Sequence, residues 1–295
     1  MLWAVFTVIA AAAQTARNAM QRELTATLGT VGATHVRFLF GFPFAVVFFI
    51  AVMMVTGASL PHPPLTFWPW VVLGMATQIG ATATMLAAMN DRSFVVTIAY
   101  TKTEPVQVAI FGFLLLGDTV TPLLAAAILV ATAGVIVMSL KRGVAEANGI
   151  RPTVLGLVSA GLFGLSATGF RGAILEIEHT HTFVVAATFT LVVGLFMQSV
   201  VLSAYLAWRE PGRLTAVLRA YRPASFAGFM GAIASQFWFL GFAIATAASV
   251  RTLGLVEVLF AQGVTHYLFR QKTAPREIAG MALLVIGVGM LLWAY

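Results

Sequence analysis

Residues 98–118 read IAYTKTEPVQVAIFGFLLLGD, an apolar stretch that holds Lys102 and Glu104 two positions apart. A helix of about 20 such residues, rising ~1.5 Å per residue, can cross the ~30 Å hydrocarbon core of a bilayer. Two interpretations are open at this point. The stretch is either a soluble core with a buried ion pair, or a membrane span in which both charges have a function.

The composition of the whole chain favours the membrane. Of 295 residues, 60% are hydrophobic and 9% are charged, and the mean hydropathy is +0.95, whereas soluble domains carry about 25% charged residues. The first apolar run opens MLWAVF and has no basic residue before Arg17, which predicts a first span rather than a cleaved signal peptide. The absence of cysteine excludes disulfides, thiol chemistry and thiolate metal sites.

The hydrophobic runs between charged, Pro and Gly breaks predict an all-α membrane protein with ten transmembrane helices. The predicted helices cover residues 2–20, 31–56, 66–90, 94–116, 121–140, 153–175, 181–207, 224–246, 248–268 and 275–294. The helices over 121–140 and 275–294 are almost wholly apolar and rich in small residues, so we expect them at the periphery or at a dimer contact.

The basic residues predict the orientation. Twelve of the 17 Lys and Arg fall in every second connection between the predicted helices: Arg22, Arg92, Lys141, Arg142, Arg151, Arg209, Arg213, Arg219, Arg222, Arg270, Lys272 and Arg276. The positive-inside rule then places these connections in the cytoplasm and both termini on the other side of the membrane. Because this rule explains the net charge of +7, nucleic acid is not an expected partner.

The two halves of the chain, residues 1–147 and 148–295, resemble each other. A shift of 153 positions places Glu104 on Glu257 and Thr82 on Ser235, and a shift of 154 places Arg17 on Arg171. Each half holds five predicted helices, an odd number, so the second half should insert upside down. The pattern therefore predicts two inverted five-helix repeats around a central cavity, as in many secondary transporters.

Glu104 and Glu257 lie near the middle of predicted spans, where an ionised group costs about 2.5–3.5 kcal/mol. Lys102 is about 200° around the helix from Glu104, so the two charges should have separate partners. The repeat relation predicts Arg17–Glu104 and Arg171–Glu257 contacts, direct or through water. Two roles stay open: static ion pairs that fix helix packing, or carboxylates that take up a proton or meet a substrate ammonium group.

Further polar residues lie at the same depth as the two glutamates. The candidates for lining a cavity are Gln78, Thr82, Tyr100, Ser235 and Trp238, beside Glu104 and Glu257. Hydrogen bonds between helices, worth about 0.6 kcal/mol each, are the alternative explanation. As a set, these residues suit a small molecule with polar and apolar parts. Pro105 is either a hinge beside the site or an ordinary kink.

Other kinds of site have little support in the sequence. His179 and His181 have no third ligand nearby, so neither a metal site nor a cofactor is expected. Walker, nucleophile-elbow and HExxH motifs do not occur, so we do not expect an enzyme.

Two segments resemble EamA-type members of the drug/metabolite transporter superfamily. EPVQVAIFGFLLLGDTVTPLLAAAILVATAGVIV, residues 104–137, is similar to the end of their first repeat, including the Gly117-Asp118-Thr119-Val120-Thr121 turn. AASVRTLGLVEVLFAQGVTHYLFRQKTAPREIAGMALLVIGVGML, residues 247–291, follows the same outline and resembles an aromatic amino-acid exporter branch. Val258 replaces the proline and Arg270-Gln271-Lys272 replaces the Gly-acidic pair, so the second half should bend differently.

The resemblance implies a metabolite exporter, and the hypothesis that follows is an exporter of the bacterial inner membrane that works by alternating access, with both termini periplasmic by the positive-inside rule. Its expected substrates are small amphipathic metabolites, in particular amino acids, including aromatic or apolar ones. Glu104 and Glu257 would be the central ionisable groups, oriented by Arg17 and Arg171. Protons are a candidate coupling ion, lipid surrounds the protein, and a monomer or a homodimer is expected. The alternatives are a broad drug exporter or, from another class, a membrane-embedded enzyme or lipid-handling protein.

Overall fold

The structure is a computed structural model that describes residues 1–91, 100–139, 150–269 and 274–294. Within these ranges the chain is all-helical and contains no strand. Expectations about Arg92, Lys141, Arg142, Arg270, Gln271 and Lys272 lie outside the described residues. The helices are α1 (Leu2–Leu39), α2 (Phe42–Thr56), α3 (Phe67–Asp91), α4 (Glu104–Phe111), α5 (Pro122–Ser139), α6 (Ile150–Glu178), α7 (Phe183–Arg209), α8 (Pro211–Arg219), α9 (Tyr221–Ile244), α10 (Ala247–Leu253), α11 (Glu257–Phe269) and α12 (Pro275–Trp293).

Seven helical segments in the described part of the chain are long and apolar enough to cross a membrane. They are Thr27–Thr56, Phe67–Ala88, Pro122–Ser139, Thr153–Glu178, Phe183–Arg209, Tyr221–Ile244 and Pro275–Trp293. Large apolar side chains such as Leu114, Leu129 and Val285 are exposed on the outside of the bundle, as expected where lipid rather than water is the neighbour. The predicted transmembrane helical character is confirmed.

The first two predicted helices are divided differently in the structure. α1 continues through the expected connection at 21–30 and kinks at Gly29, whose φ of 69° suits a residue without a Cβ. The second break falls at Phe40-Gly41, before α2. The connection expected after 207 contains the short helix α8.

Three helix pairs form the framework: α3 packs along α6, α1 along α9, and α5 along α12. Glycines allow the close approaches. A Cβ on Gly169 would lie 2.7 Å from the backbone nitrogen of Gly74, and one on Gly287 would lie 2.5 Å from that of Ala131. The apolar helices α5 and α12 therefore pack against each other, and the cavity described next lies among α1, α3, α4, α6, α7, α9, α10 and α11.

Candidate central cavity

Glu104 and Glu257 each occupy the first position of a helix that follows a break. The chain turns at Lys102-Thr103 before α4 begins at Glu104, and a 3-10 turn, Gly254–Val256, precedes α11 at Glu257. Pro105 stands in the first turn of α4, where its missing N–H leaves no hydrogen bond unmade. The two breaks differ in form, since the first is a turn at Lys102-Thr103 and the second is a 3-10 turn.

Each glutamate pairs with a cation from the other half of the chain. Arg251 Nε donates to Glu104 Oε1 at 2.5 Å, and Lys102 Nζ forms an ion pair with Glu257 Oε1. Lys102 and Glu104 thus have separate partners, as predicted from their angular separation.

The predicted direct contacts Arg17–Glu104 and Arg171–Glu257 are wrong. The glutamates are instead paired with Lys102 and Arg251, which lie at the broken segments, residues 102–104 and 251–257. Arg171 instead donates from Nη1 to the carbonyl oxygens of Phe242 and Ala245, both at 2.5 Å, and lies 3.4 Å from Asp118 Oδ1. It therefore binds the C-terminal end of α9, where a cation is favoured by the helix dipole.

Trp238 and Gln14 connect the two ion pairs. Trp238 Nε1 donates to Gln14 Oε1 at 3.1 Å, and Gln14 Nε2 donates to Glu257 Oε2 at 2.6 Å. The Arg251 guanidinium lies over the Trp238 ring, 4.8 Å from its centroid. The four charged groups therefore belong to one network built from α1, α9 and the two broken segments.

Gln78 joins a second group of polar residues. Its amide oxygen accepts from Arg37 Nη1 and Nη2 at 3.1 and 2.7 Å, and its nitrogen donates to Ser166 Oγ at 2.5 Å. Three helices, α1, α3 and α6, are thereby held together by one buried amide. Because the amide oxygen accepts two hydrogen bonds from it, the Arg37 guanidinium is held in place by Gln78.

These groups line a cavity of about 90 Å³ between α1, α3, α4, α6, α7, α9, α10 and α11. At roughly 10–15 Å³ for each water position, this volume holds several waters or one small group of a ligand. Aromatic and aliphatic side chains form much of the remaining wall: Phe38, Phe163, Phe170, Leu191, Leu195, Phe239 and Phe242. No lining residue comes from α5 or α12.

The cavity brings together most of the residues selected from the sequence. Those that line it are Arg17, Gln78, Glu104, Ser235, Trp238 and Glu257. Thr82 does not line it, because its buried hydroxyl donates to the Gln78 carbonyl within α3. Tyr100 lies against Gly156 of α6, and Arg171 and Pro105 also lie outside the lining.

Sequence reasoning missed the roles of three cations, Arg37, Lys102 and Arg251. All three line the cavity. Their signal was available, because each is an ionisable residue in an otherwise apolar stretch and such residues face the bundle interior. Gln14 carried a weaker signal, since a single amide in a span is common.

Arg17 is the least satisfied of these cations. Its side chain is 5% exposed, and only Nη2 has a hydrogen-bond partner, the neighbouring Asn18 Oδ1 at 2.8 Å. Nε and Nη1 have none in the described part of the chain. An ionised guanidinium that is buried with two free nitrogens is costly unless a ligand completes its hydrogen bonds.

Comparison with known proteins shows the fold alone. No protein-family model matches the chain, and no curated protein matches it. A solved structure, described only as the crystal structure of a protein, is similar with a TM-score of 0.70 over 98% of this chain and 96% of that chain, at 15% sequence identity. At this identity the likeness extends to the helix arrangement, and function has to be argued from the cavity.

Proposed function

We propose that the protein exports small amphipathic metabolites across the bacterial inner membrane by alternating access. The observation that carries the proposal is the pairing of the charges: Arg251–Glu104 and Lys102–Glu257 each join the first half of the chain to the second beside a cavity. Such contacts can break and re-form as one half moves against the other. Ion pairs within one half would stay intact during such a movement.

The helix boundaries support two five-helix repeats, the architecture on which the proposal depends. α4 and α5 begin at 104 and 122, and α11 and α12 begin 153 residues later, at 257 and 275. The packing follows the same relation, because exchanging the repeats converts the α1–α9 contact into the α6–α3 contact. Inverted repeats with discontinuous helices at the site are typical of secondary transporters.

The amphipathic lining supports the substrate class. Ionised and amide groups occupy one part of the wall, and aromatic rings such as Phe170 and Phe239, 4.8 Å apart, occupy another. Amino acids are the substrates that the sequence resemblance implies, and protons are the candidate coupling ion. We propose a monomer or homodimer with both termini in the periplasm.

The test is flux into liposomes that contain the purified protein. Labelled Phe, Met, Thr and 3-phenylpropionate are compared with and without a pH gradient, for wild type and for Glu104→Gln/Glu257→Gln. Glu176→Gln is the matched control. The Glu176 carboxylate does not line the cavity, and it accepts a hydrogen bond of 2.6 Å from Thr66 Oγ1. Saturable flux that only the double variant loses supports the proposal.

Two other results would count against the proposal. Flux that survives in the double variant makes the glutamates structural and overturns the mechanism. If the wild-type protein transports none of the four compounds, the proposal that it exports small amphipathic metabolites is wrong. The hypothesis of a broad drug exporter would then be tested with lipophilic cations.

A further inference from the structure

The charges that line the cavity do not balance. Among the described residues that line it, four cations, Arg17, Arg37, Lys102 and Arg251, face two carboxylates, Glu104 and Glu257, which leaves two formal positive charges in excess. Both carboxylates are already engaged by Arg251 and by Lys102. The excess therefore resides on Arg17 and Arg37.

Arg17 and Arg37 are bonded only to neutral groups within the described residues. Arg37 donates to the Gln78 amide oxygen, and Arg17 donates to the Asn18 amide oxygen. Arg17 is only 5% exposed, and two of its nitrogens have no hydrogen-bond partner among the described residues. Guanidinium groups form their strongest hydrogen bonds with carboxylates and phosphates.

We infer that the cavity takes a small organic anion, an aryl or alkyl carboxylate without an ammonium group, with its carboxylate at Arg17 and Arg37. The inference rests on the proposed transport function and narrows its substrate class. The aromatic wall of Phe38, Phe170 and Phe239 accepts the apolar part of the same molecule.

An amino-acid zwitterion fits the same cavity less well. Its carboxylate could reach the two arginines, but its ammonium group would need a carboxylate whose charge is not already neutralised by a cation. Glu257 already accepts from Lys102 and from Gln14 Nε2 at 2.6 Å, and Glu104 accepts from Arg251 at 2.5 Å. The ammonium group would therefore share a carboxylate with the cation that already neutralises it, or lie beside the excess cations, and both arrangements place like charges close together.

The experiment compares three ligands that share a phenylethyl skeleton and differ in their charged groups: 3-phenylpropionate has a carboxylate, phenethylamine has an ammonium group, and phenylalanine has both. Binding to the purified full-length protein is measured by calorimetry in a buffer of fixed ionic strength. We expect 3-phenylpropionate to bind at least about tenfold more tightly than phenylalanine, which corresponds to ~1.4 kcal/mol, and phenethylamine to bind least. Equal or tighter binding of phenylalanine overturns the inference.

Variants locate the anion. Arg17→Gln should reduce the affinity for 3-phenylpropionate about tenfold or more and remove the preference over phenylalanine, while Arg17→Lys should keep part of it because the charge remains. Arg222→Gln is the control, since Arg222 is exposed and bonds to its neighbour Tyr221. If the preference is the same in Arg17→Gln as in wild type, the anion does not bind at Arg17 and the inference is wrong.

A chloride titration separates an organic anion site from a site for any small anion. Binding of 3-phenylpropionate that an equal concentration of chloride abolishes would overturn the specificity inferred here. The flux assay separates the two proposals. Tight binding of 3-phenylpropionate without any flux contradicts transport and supports the anion site, whereas flux of phenylalanine but not of 3-phenylpropionate supports transport and contradicts the anion site.

Discussion

The guanidinium of Arg251 lies 4.8 Å from the centroid of the Trp238 ring while Arg251 Nε donates to Glu104 at 2.5 Å. The indole N–H of the same Trp238 donates to Gln14, which in turn donates to Glu257. Trp238 therefore contacts the Arg251–Glu104 pair directly and is linked to the Lys102–Glu257 pair through Gln14.

Truncation of Trp238 should weaken both ion-pair networks. We expect Trp238→Phe to lower the free energy of unfolding by about 1–3 kcal/mol through the unsatisfied Gln14 oxygen. Trp238→Leu should lose the contact with Arg251 as well, a further ~0.5–2 kcal/mol. Unfolding in mixed detergent micelles, with increasing sodium dodecyl sulfate, measures both values.

Trp208→Leu is the matched control for this prediction. Arg209 lies 4.3 Å from the Trp208 ring centroid, but the tryptophan is 76% exposed. A cation over an exposed ring contributes at most about 0.5–1 kcal/mol. Equal losses in Trp238→Leu and Trp208→Leu would show that the central network adds no stability.

Neutralising one partner of the Arg251–Glu104 pair should lower the free energy of unfolding more than neutralising both partners. Glu104→Gln or Arg251→Gln leaves one charge buried without its partner, an effect of about 3–5 kcal/mol in other proteins. The double variant removes both charges and should lose less than either single variant. The same unfolding titration checks the order, and a double variant as unstable as the sum of its parts would contradict it.

Arg17 should behave in the opposite way. Because Arg17 has no carboxylate partner in the described part of the chain, its buried charge destabilises the ligand-free protein. We expect Arg17→Met to raise the free energy of unfolding, by at most about 2.5–3.5 kcal/mol on insertion scales. Arg251→Met should lower it. A loss of stability in Arg17→Met would mean that Arg17 is structural rather than reserved for a ligand.

The sequence was sufficient to find the transmembrane helical character and the two central glutamates, whereas seven of the ten predicted spans are long and apolar enough in the described part of the chain. A charge or amide in a long apolar run has few stable positions other than the bundle interior, so Gln78, Glu104 and Glu257 could be selected without a structure. Thr82 was selected on the same grounds, but a hydroxyl can satisfy itself on its own helix, as the bond to the Gln78 carbonyl shows.

The partners of the glutamates could not be predicted, and the reason is geometric. Regular helical spacing was assumed across 101–104 and 251–257, whereas the structure has a turn and a 3-10 segment there. These breaks redirect Lys102 and Arg251 toward the opposite half of the chain. Arg17 and Arg171, on the continuous helices α1 and α6, keep their repeat relation but not the predicted contacts.

Gly287 and Gly289 provide a prediction about packing, because they stand two residues apart on α12 with opposite surroundings. A Cβ on Gly287 would lie 2.5 Å from the Ala131 nitrogen and 2.8 Å from its Cα, whereas a Cβ on Gly289 would meet nothing within 4 Å. Gly287→Ala should therefore separate α5 from α12 and lower the free energy of unfolding by about 1–3 kcal/mol.

Gly289→Ala is the control for this last change, since it adds the same methyl group to the same helix. It should be neutral or slightly stabilising, because alanine favours a helix over glycine by about 0.8–1.0 kcal/mol. Thermal unfolding followed by the exposure of buried tryptophan compares the two variants. Gly287→Ala as stable as Gly289→Ala would mean that α5 and α12 do not approach each other through this glycine.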